Sequence, residues 1–169
     1  MSLTRDELAE LVAAATAAGL TVATAESLTG GMLAATIVDI PGASGMLQGG
    51  VIAYQNEVKV RALGVPAGLL AENGAVDPGV AQAMALGACR VTGARVGLST
   101  TGVAGPEPHQ GKDVGHVYIG ISVDGRASAH EFHFSGGRAA IRSQATGEAL
   151  LLLRELVRGH VKGTGEQKL

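Results

Sequence analysis

LTVATAESLTGGMLAATIVDI, residues 20–40, is the stretch whose reading decides the fold. LTVATA (20–25) is short and β-prone and reads as a buried strand. SLTGG follows as a glycine-containing turn, and MLAATIVDI (32–40) reads as a helix stopped by Pro41-Gly42. Upstream, Thr4 and Glu7 have the spacing of a helix capping box. Leu8, Leu11, Val12 and Ala15 then recur at helical intervals until Gly19 closes the segment. Helix, strand, turn, helix is the order of an α/β domain.

The pattern continues downstream. GGVIAYQ (49–55) reads as a second strand, NEVKVRAL (56–63) as a helix ending at Gly64, and VGLSTTG (96–102) as a third strand. Asp77-Pro78 opens a longer helix through AQAMALGACRV, since Asp caps and Pro suits the first turn. HVYIGISV (116–123) and ASAHEFHF (127–134) flank Asp124-Gly125-Arg126, a hairpin signal that makes the sheet mixed. Gly136-Gly137 punctuates before a Leu-rich helix over 138–158. The expectation is one three-layer α/β/α domain over residues 1–160, with about five strands and four or five helices. Residues 161–169 read as a polar, disordered tail.

Composition narrows the function. The 169 residues suit one core, and the formal net charge of −2 provides no broad field for nucleic acid or an anionic membrane. Aromatic residues make up 2% with no Trp, which argues against base-stacking platforms. Cys89 is the sole cysteine, so no internal disulfide forms, and its apolar, helix-like surroundings read as a buried thiol. No apolar run reaches the roughly 18 residues of a membrane span, and MSLTRDELAE lacks signal-peptide character. A cytoplasmic protein is expected, with apolar helix faces that allow a homo-oligomer.

Four places hold polar residues that core packing does not explain, each where a strand ends. In AESLTGG (25–31), Ser27 stands at a strand-to-helix junction, where a turn exposes the hydroxyl and the following helix offers free N–H groups around Gly30 and Gly31 to an oxyanion. Taken alone, this stretch favours Ser27 or Thr29 as a simple helix cap, because caps far outnumber nucleophiles. In YQNEVK (54–59), Tyr54 ends a strand and Lys59 lies about one turn into a helix, able to point back. Lysine becomes a base only when burial or a nearby cation lowers its pKa well below ~10.4. Ser–Lys pairs are known variants of the hydrolytic triad. The ordinary alternatives are a solvated Lys59 and a half-buried Tyr54.

The third place is STTGVAGP (99–106), with Thr101, Gly102 and Gly105 suited to a phosphate or ribose or to a wall for the nucleophile, followed by a polar loop through Lys112 that is either a lid or an ordinary surface loop. The fourth is GGRAAIR (136–142), where Arg138 and Arg142 share a helix face and form either an anion clamp or a solvated pair. Metal chemistry finds no support in spacing: His109, His116, His130, His133 and His160 show no zinc-type cluster, and His130 and His133 face opposite sides of a strand. No Walker loop occurs.

Together these segments resemble the C-terminal domain of the CinA family. The matching pieces are AESLTGG (25–31), DIPGAS (39–44), GGVIAYQNEVK (49–59), LGVP (63–66), GAV (74–76), TGVAGP (101–106), VG (114–115) and GGRAAIR (136–142). They run in the family's order over roughly residues 5–157. The resemblance implies a nicotinamide mononucleotide amidohydrolase, which makes nicotinic acid mononucleotide and ammonia in pyridine nucleotide recycling. Ser27 falls on the family's serine, Tyr54 and Lys59 on its tyrosine and lysine, and Thr101 on its threonine. The arginine motif falls on Arg138 and Arg142. No cofactor or metal is implied, and the partner it implies is the nucleotide substrate, with no nucleic acid or membrane.

Two positions depart from the family pattern. Leu28 stands where Cys is common, and Glu107-Pro108-His109-Gln110-Gly111-Lys112-Asp113 replaces a glycine-rich run ending in Lys-Pro. Lys112 is expected to keep the basic role. The altered loop leaves open two alternatives: a non-catalytic nucleotide-binding or competence-associated module, and an amidase of the same chemistry acting on another amide.

Overall fold

The structure, a computed structural model, describes the backbone of residues 2–166 and the side chains of residues 2–162. Its elements are α1 (Arg5–Ala17), β1 (Val22–Glu26), α2 (Met32–Val38), β2 (Leu47–Ile52), α3 (Asn56–Leu63), α4 (Ala67–Asn73), α5 (Pro78–Thr92), β3 (Val96–Gly102), β4 (His116–Val123), β5 (Arg126–His133) and α6 (Arg138–Glu166). The boundaries follow local chemistry. Thr4 and Glu7 close a reciprocal capping box on α1, and the Asp77 carboxylate accepts from the Gly79 and Val80 N–H groups to start α5. Asp124 and Gly125 take φ of 47° and 82°, as a two-residue hairpin turn between β4 and β5 requires.

The sheet order is β2-β1-β3-β4-β5. β2, β1 and β3 are parallel, while β4 and β5 add antiparallel strands, so the sheet is mixed as expected. Period-two alternation gives each strand two faces. Val22, Val96, Leu98, Val117, Ile119 and Ile121 pack with α1, α2 and α6 in one core. Ala23 and Ala25 face the other way, into a core with α3 and α5. Three layers result.

α5 lies unusually close to the sheet. The floor beneath it is Gly97, Ser99, Gly120 and Ser122, all small. Ser99 Oγ donates to Ala81 O at 2.6 Å and Ser122 Oγ to Ala85 O at 3.2 Å. A methyl group at Gly97 or Gly120 would overlap the carbonyl oxygens of Ala85 or Ala81.

Several expectations need correction. β2 ends at Ile52, not at residue 55, because the chain turns at Tyr54 to begin α3 with Gln55 as its cap. α4 adds a helix; its seven residues, between Pro66 and Gly74, are too short to show periodicity. Six α-helices and one 3₁₀ turn at Ala43–Gly45 therefore occur among the described residues, more than four or five. α6 continues past 158 to Glu166, so part of the expected polar tail is helical, while residues 167–169 lie outside the described residues. No helix among the described residues is long and apolar enough to cross a membrane.

The close seat of α5 makes a prediction. Gly97→Ala lifts the helix and lowers the unfolding free energy by about 1–3 kcal/mol, read by urea denaturation. Gly68→Ala, in the first turn of α4 with open space around it, is neutral or slightly stabilising.

Candidate functional site

The carboxyl ends of β1, β2 and β3 bring the candidate residues together. Ser27 follows β1 directly, and its N–H donates to Thr100 O of β3 at 2.9 Å. On the other side the Ala53 N–H donates to Glu26 O at 2.8 Å, which holds the exit of β2 alongside. The chain then enters α3, whose first turn carries Lys59. The Lys59 side chain is 1% exposed, and its amine turns back over the strand ends. Nζ lies 2.7 Å from Ala53 O, 3.2 Å from Tyr54 O and 3.1 Å from Ser27 Oγ. Burial pushes the amine down from the usual lysine value to about 8.

Glu26 organises the turn beside this pair. Buried at the end of β1, its carboxylate accepts from the N–H groups of Gly31, Leu33 and Ala34 at 2.8–3.0 Å. Thr29 Oγ1 donates to it at 2.7 Å and lies 2.7 Å from Thr100 Oγ1. An acidic group thus closes the N-terminus of α2 from within. Gly31 caps the helix at φ 101°, a conformation that suits glycine. From α6, Arg142 donates to Leu28 O at 2.8 Å and Thr29 O at 2.9 Å, fixing the turn's outer side.

This network corrects the expected oxyanion site. The Gly31 N–H is spent on Glu26, and the Gly30 N–H donates to Ser27 O at 3.1 Å. Both N–H groups thus already have acceptors within the turn. The Leu28 N–H, in the residue after Ser27, makes no hydrogen bond among the described residues, and Leu28 lines the cleft.

The cleft over Ser27 encloses about 610 Å³. Ser27, Lys59, Tyr54, Thr101, Gly102, Gly105 and Arg138 all line it. Tyr54 is 53% exposed and sits beyond the strand, not within it. Its hydroxyl accepts from Arg138 at 2.9 Å, and it meets Lys59 through its backbone carbonyl. Arg138 also donates to Gly105 O at 3.0 Å, bridging two walls. Thr101 Oγ1 donates to Ala75 O at 2.6 Å. Thr29, Gly30, Gly31, Lys112 and Arg142 do not line the cleft. Lys112 instead pairs by its backbone with His109 across the Gln110-Gly111 turn.

Sequence reasoning missed Glu26, which sits inside the AESLTGG motif without an obvious role. It also missed Asn56, Glu57, His109 and Gln110, which line the cleft. Gln110 Oε1 accepts from the Ala75 N–H at 3.0 Å, so GAV (74–76) carries a loop contact that spacing alone does not reveal. One histidine grouping also escaped. Cross-strand pairing sets His116 opposite His133 and brings both to Glu131, a grouping invisible to linear spacing.

Glu26→Gln replaces one acceptor oxygen with a donor facing N–H groups. The expected loss is about 1.5–3 kcal/mol of unfolding free energy, measured by urea denaturation. An unchanged midpoint would show that the carboxylate does not hold the turn.

Comparison with known proteins agrees with this architecture. The CinA C-terminal domain family matches residues 5–157. A competence-damage inducible protein of Desulforamulus reducens is 50% identical over 142 residues, covering 84% of this chain and 34% of that protein. The chain thus spans about one third of such relatives. The crystal structure of a CinA superfamily protein from Klebsiella pneumoniae superposes with a TM-score of 0.88 at 31% identity, over 93% of this chain and 99% of that one. That of a competence/damage inducible protein from Agrobacterium tumefaciens gives 0.85 at 36%, over 92% and 99%. With a family match over nearly its whole length and a fold shared with these structures, the chain belongs to the CinA C-terminal domain family.

Proposed function

We propose that this chain is a nicotinamide-nucleotide amidohydrolase, converting nicotinamide mononucleotide and water to nicotinic acid mononucleotide and ammonia. One observation carries the chemistry: a buried lysine amine 3.1 Å from Ser27 Oγ. A neutral amine has two hydrogens and one lone pair. The carbonyls of Ala53 and Tyr54 accept the hydrogens, which leaves the lone pair facing Ser27.

Lys59 takes the Ser27 proton as Oγ bonds to the carboxamide carbon. The carbonyl oxygen becomes an oxyanion, and the Leu28 N–H is the donor placed for it. Protonated Lys59 returns its proton to the leaving nitrogen, and ammonia departs. Water, deprotonated by the same amine, then attacks the acyl-enzyme; the proton goes back to Ser27 as the acid leaves. Tyr54 contributes its carbonyl to the amine and its ring to the cleft wall.

The nucleotide assignment rests on the family motifs, supported by a volume within the range of small-molecule sites. Arg138 is the cation for the phosphate, and Thr101, Gly102 and Gly105 form the facing wall. Arg142 acts through the Ser27 turn, not on substrate. Glu107 and His109 line the cleft where Lys112 does not, which keeps an amidase of different substrate preference, or a module that only binds, as second readings.

A panel of amides assayed for ammonia separates the three readings. Turnover of nicotinamide mononucleotide supports the proposal, turnover of another amide alone redirects it, and binding without release favours the module. Ser27→Ala is expected to lose at least about a thousandfold in turnover while circular dichroism and nucleotide binding are retained. Because the working base is the neutral amine, kcat/KM rises with pH until Lys59 is deprotonated, near 8, and then levels. A flat profile from about pH 6 to 9 would exclude Lys59 as the base.

A further inference from the structure

We infer that the β4–β5 hairpin carries a site for a divalent transition-metal cation, with His116, Glu131 and His133 as its protein ligands. The register assembles it. His116 lies directly opposite His133, and Tyr118 opposite Glu131. Strand periodicity then puts all of these side chains on one face of the hairpin. His116 Nε2 is 2.7 Å from Glu131 Oε1, and His133 Nε2 is 3.5 Å from the same oxygen. The two imidazole rings stand 4.5 Å apart, tilted by 35°.

Both ring nitrogens and the carboxylate oxygen lie within 4.8 Å of one another. Bonds of about 2.0–2.1 Å to a tetrahedral zinc hold donor atoms roughly 3.4 Å apart. Glu131 and His133 are exposed enough to close that gap by turning their own side chains; His133 is 69% exposed. His116 is buried and supplies a fixed ligand. Two imidazoles and one carboxylate select borderline ions such as zinc or cobalt over magnesium and calcium. Three protein ligands leave the solvent side for water.

Tyr118 strengthens the case. Its hydroxyl donates to Glu131 Oε1 at 3.1 Å, the kind of outer contact that aims a carboxylate at a cation. The site stands apart from Ser27 but adjoins the cleft's wall. The His116 carbonyl accepts from the Val103 N–H at 2.9 Å, and Val103 lines the cleft. A cation here clamps the start of β4 to the end of edge strand β5, and with it the base of the 103–115 loop. Nothing in this depends on the amidase reading.

The test uses the full chain freed of metal by a chelator. Zinc titration by calorimetry should give one ion per chain, and cobalt should produce visible absorption bands of low-coordinate geometry. His133→Ala and Glu131→Gln should each weaken zinc binding tenfold or more, and Tyr118→Phe by about tenfold, with circular dichroism unchanged. His130→Ala, on the opposite face, and His109→Ala should leave binding as it was. Absence of stoichiometric zinc, or wild-type affinity in the His133→Ala and Glu131→Gln variants, overturns the site.

Discussion

An amine held out of water, with only carbonyl oxygens and one hydroxyl around it, is the constraint on which the rest of the site depends. Charging Lys59 in that position is unfavourable, so the proton is held weakly. An ion pair would erase this property by stabilising the charge, and no carboxylate pairs with Lys59 among the described residues. The fold's task is to bury a flexible side chain and still aim its tip. It does so by ending β2 at Ile52 and starting α3 four residues later. The amine then folds back onto the strand exits, where two successive carbonyls hold it.

The neighbouring carboxylate shows how the same small region handles the opposite charge. Glu26 is as buried as Lys59, yet it is surrounded by donors: three backbone N–H groups and hydroxyls of Thr24 and Thr29. Its side chain serves the start of α2, while Ser27, one residue on, serves the cleft. Adjacent residues leaving a strand point to opposite faces, so one side chain of the dipeptide turns to the helix start and the other to the cleft. The glycines after it serve the turn's conformation. Their φ values shape the turn, and their N–H groups are spent on Ser27 O and the Glu26 carboxylate.

Much of the architecture is legible in the sequence, for physical reasons that hold residue by residue. Thr4 with Glu7, and Asp77 with Pro78, announce helix starts because capping is local. Asp124-Gly125 announces its hairpin for the same reason. Ser27 and Lys59 are identifiable as a pair through motif and family likeness; their 3.1 Å approach belongs to tertiary structure. What escapes is non-local. Glu26 looks like one more residue of a strand end, since its partners lie up to eight residues on, in the first turn of α2. Arg142 and Lys112 read as cations for a ligand, but one is consumed by backbone carbonyls and the other lies outside the cleft. His116 and His133 are separated by a whole hairpin, so only register reunites them.

The floor of glycine and serine under α5 has a mechanical consequence. Where large side chains separate a helix from a sheet, their rotamers act as compliant spacers. Here main-chain carbonyls rest almost directly on strand backbone, with serine hydroxyls as rivets. Main-chain atoms have no alternative rotamers to take up a displacement. Helix and strands therefore behave as a single stiff plate. Ser27 and Thr101, at its rim, inherit that fixed frame of reference.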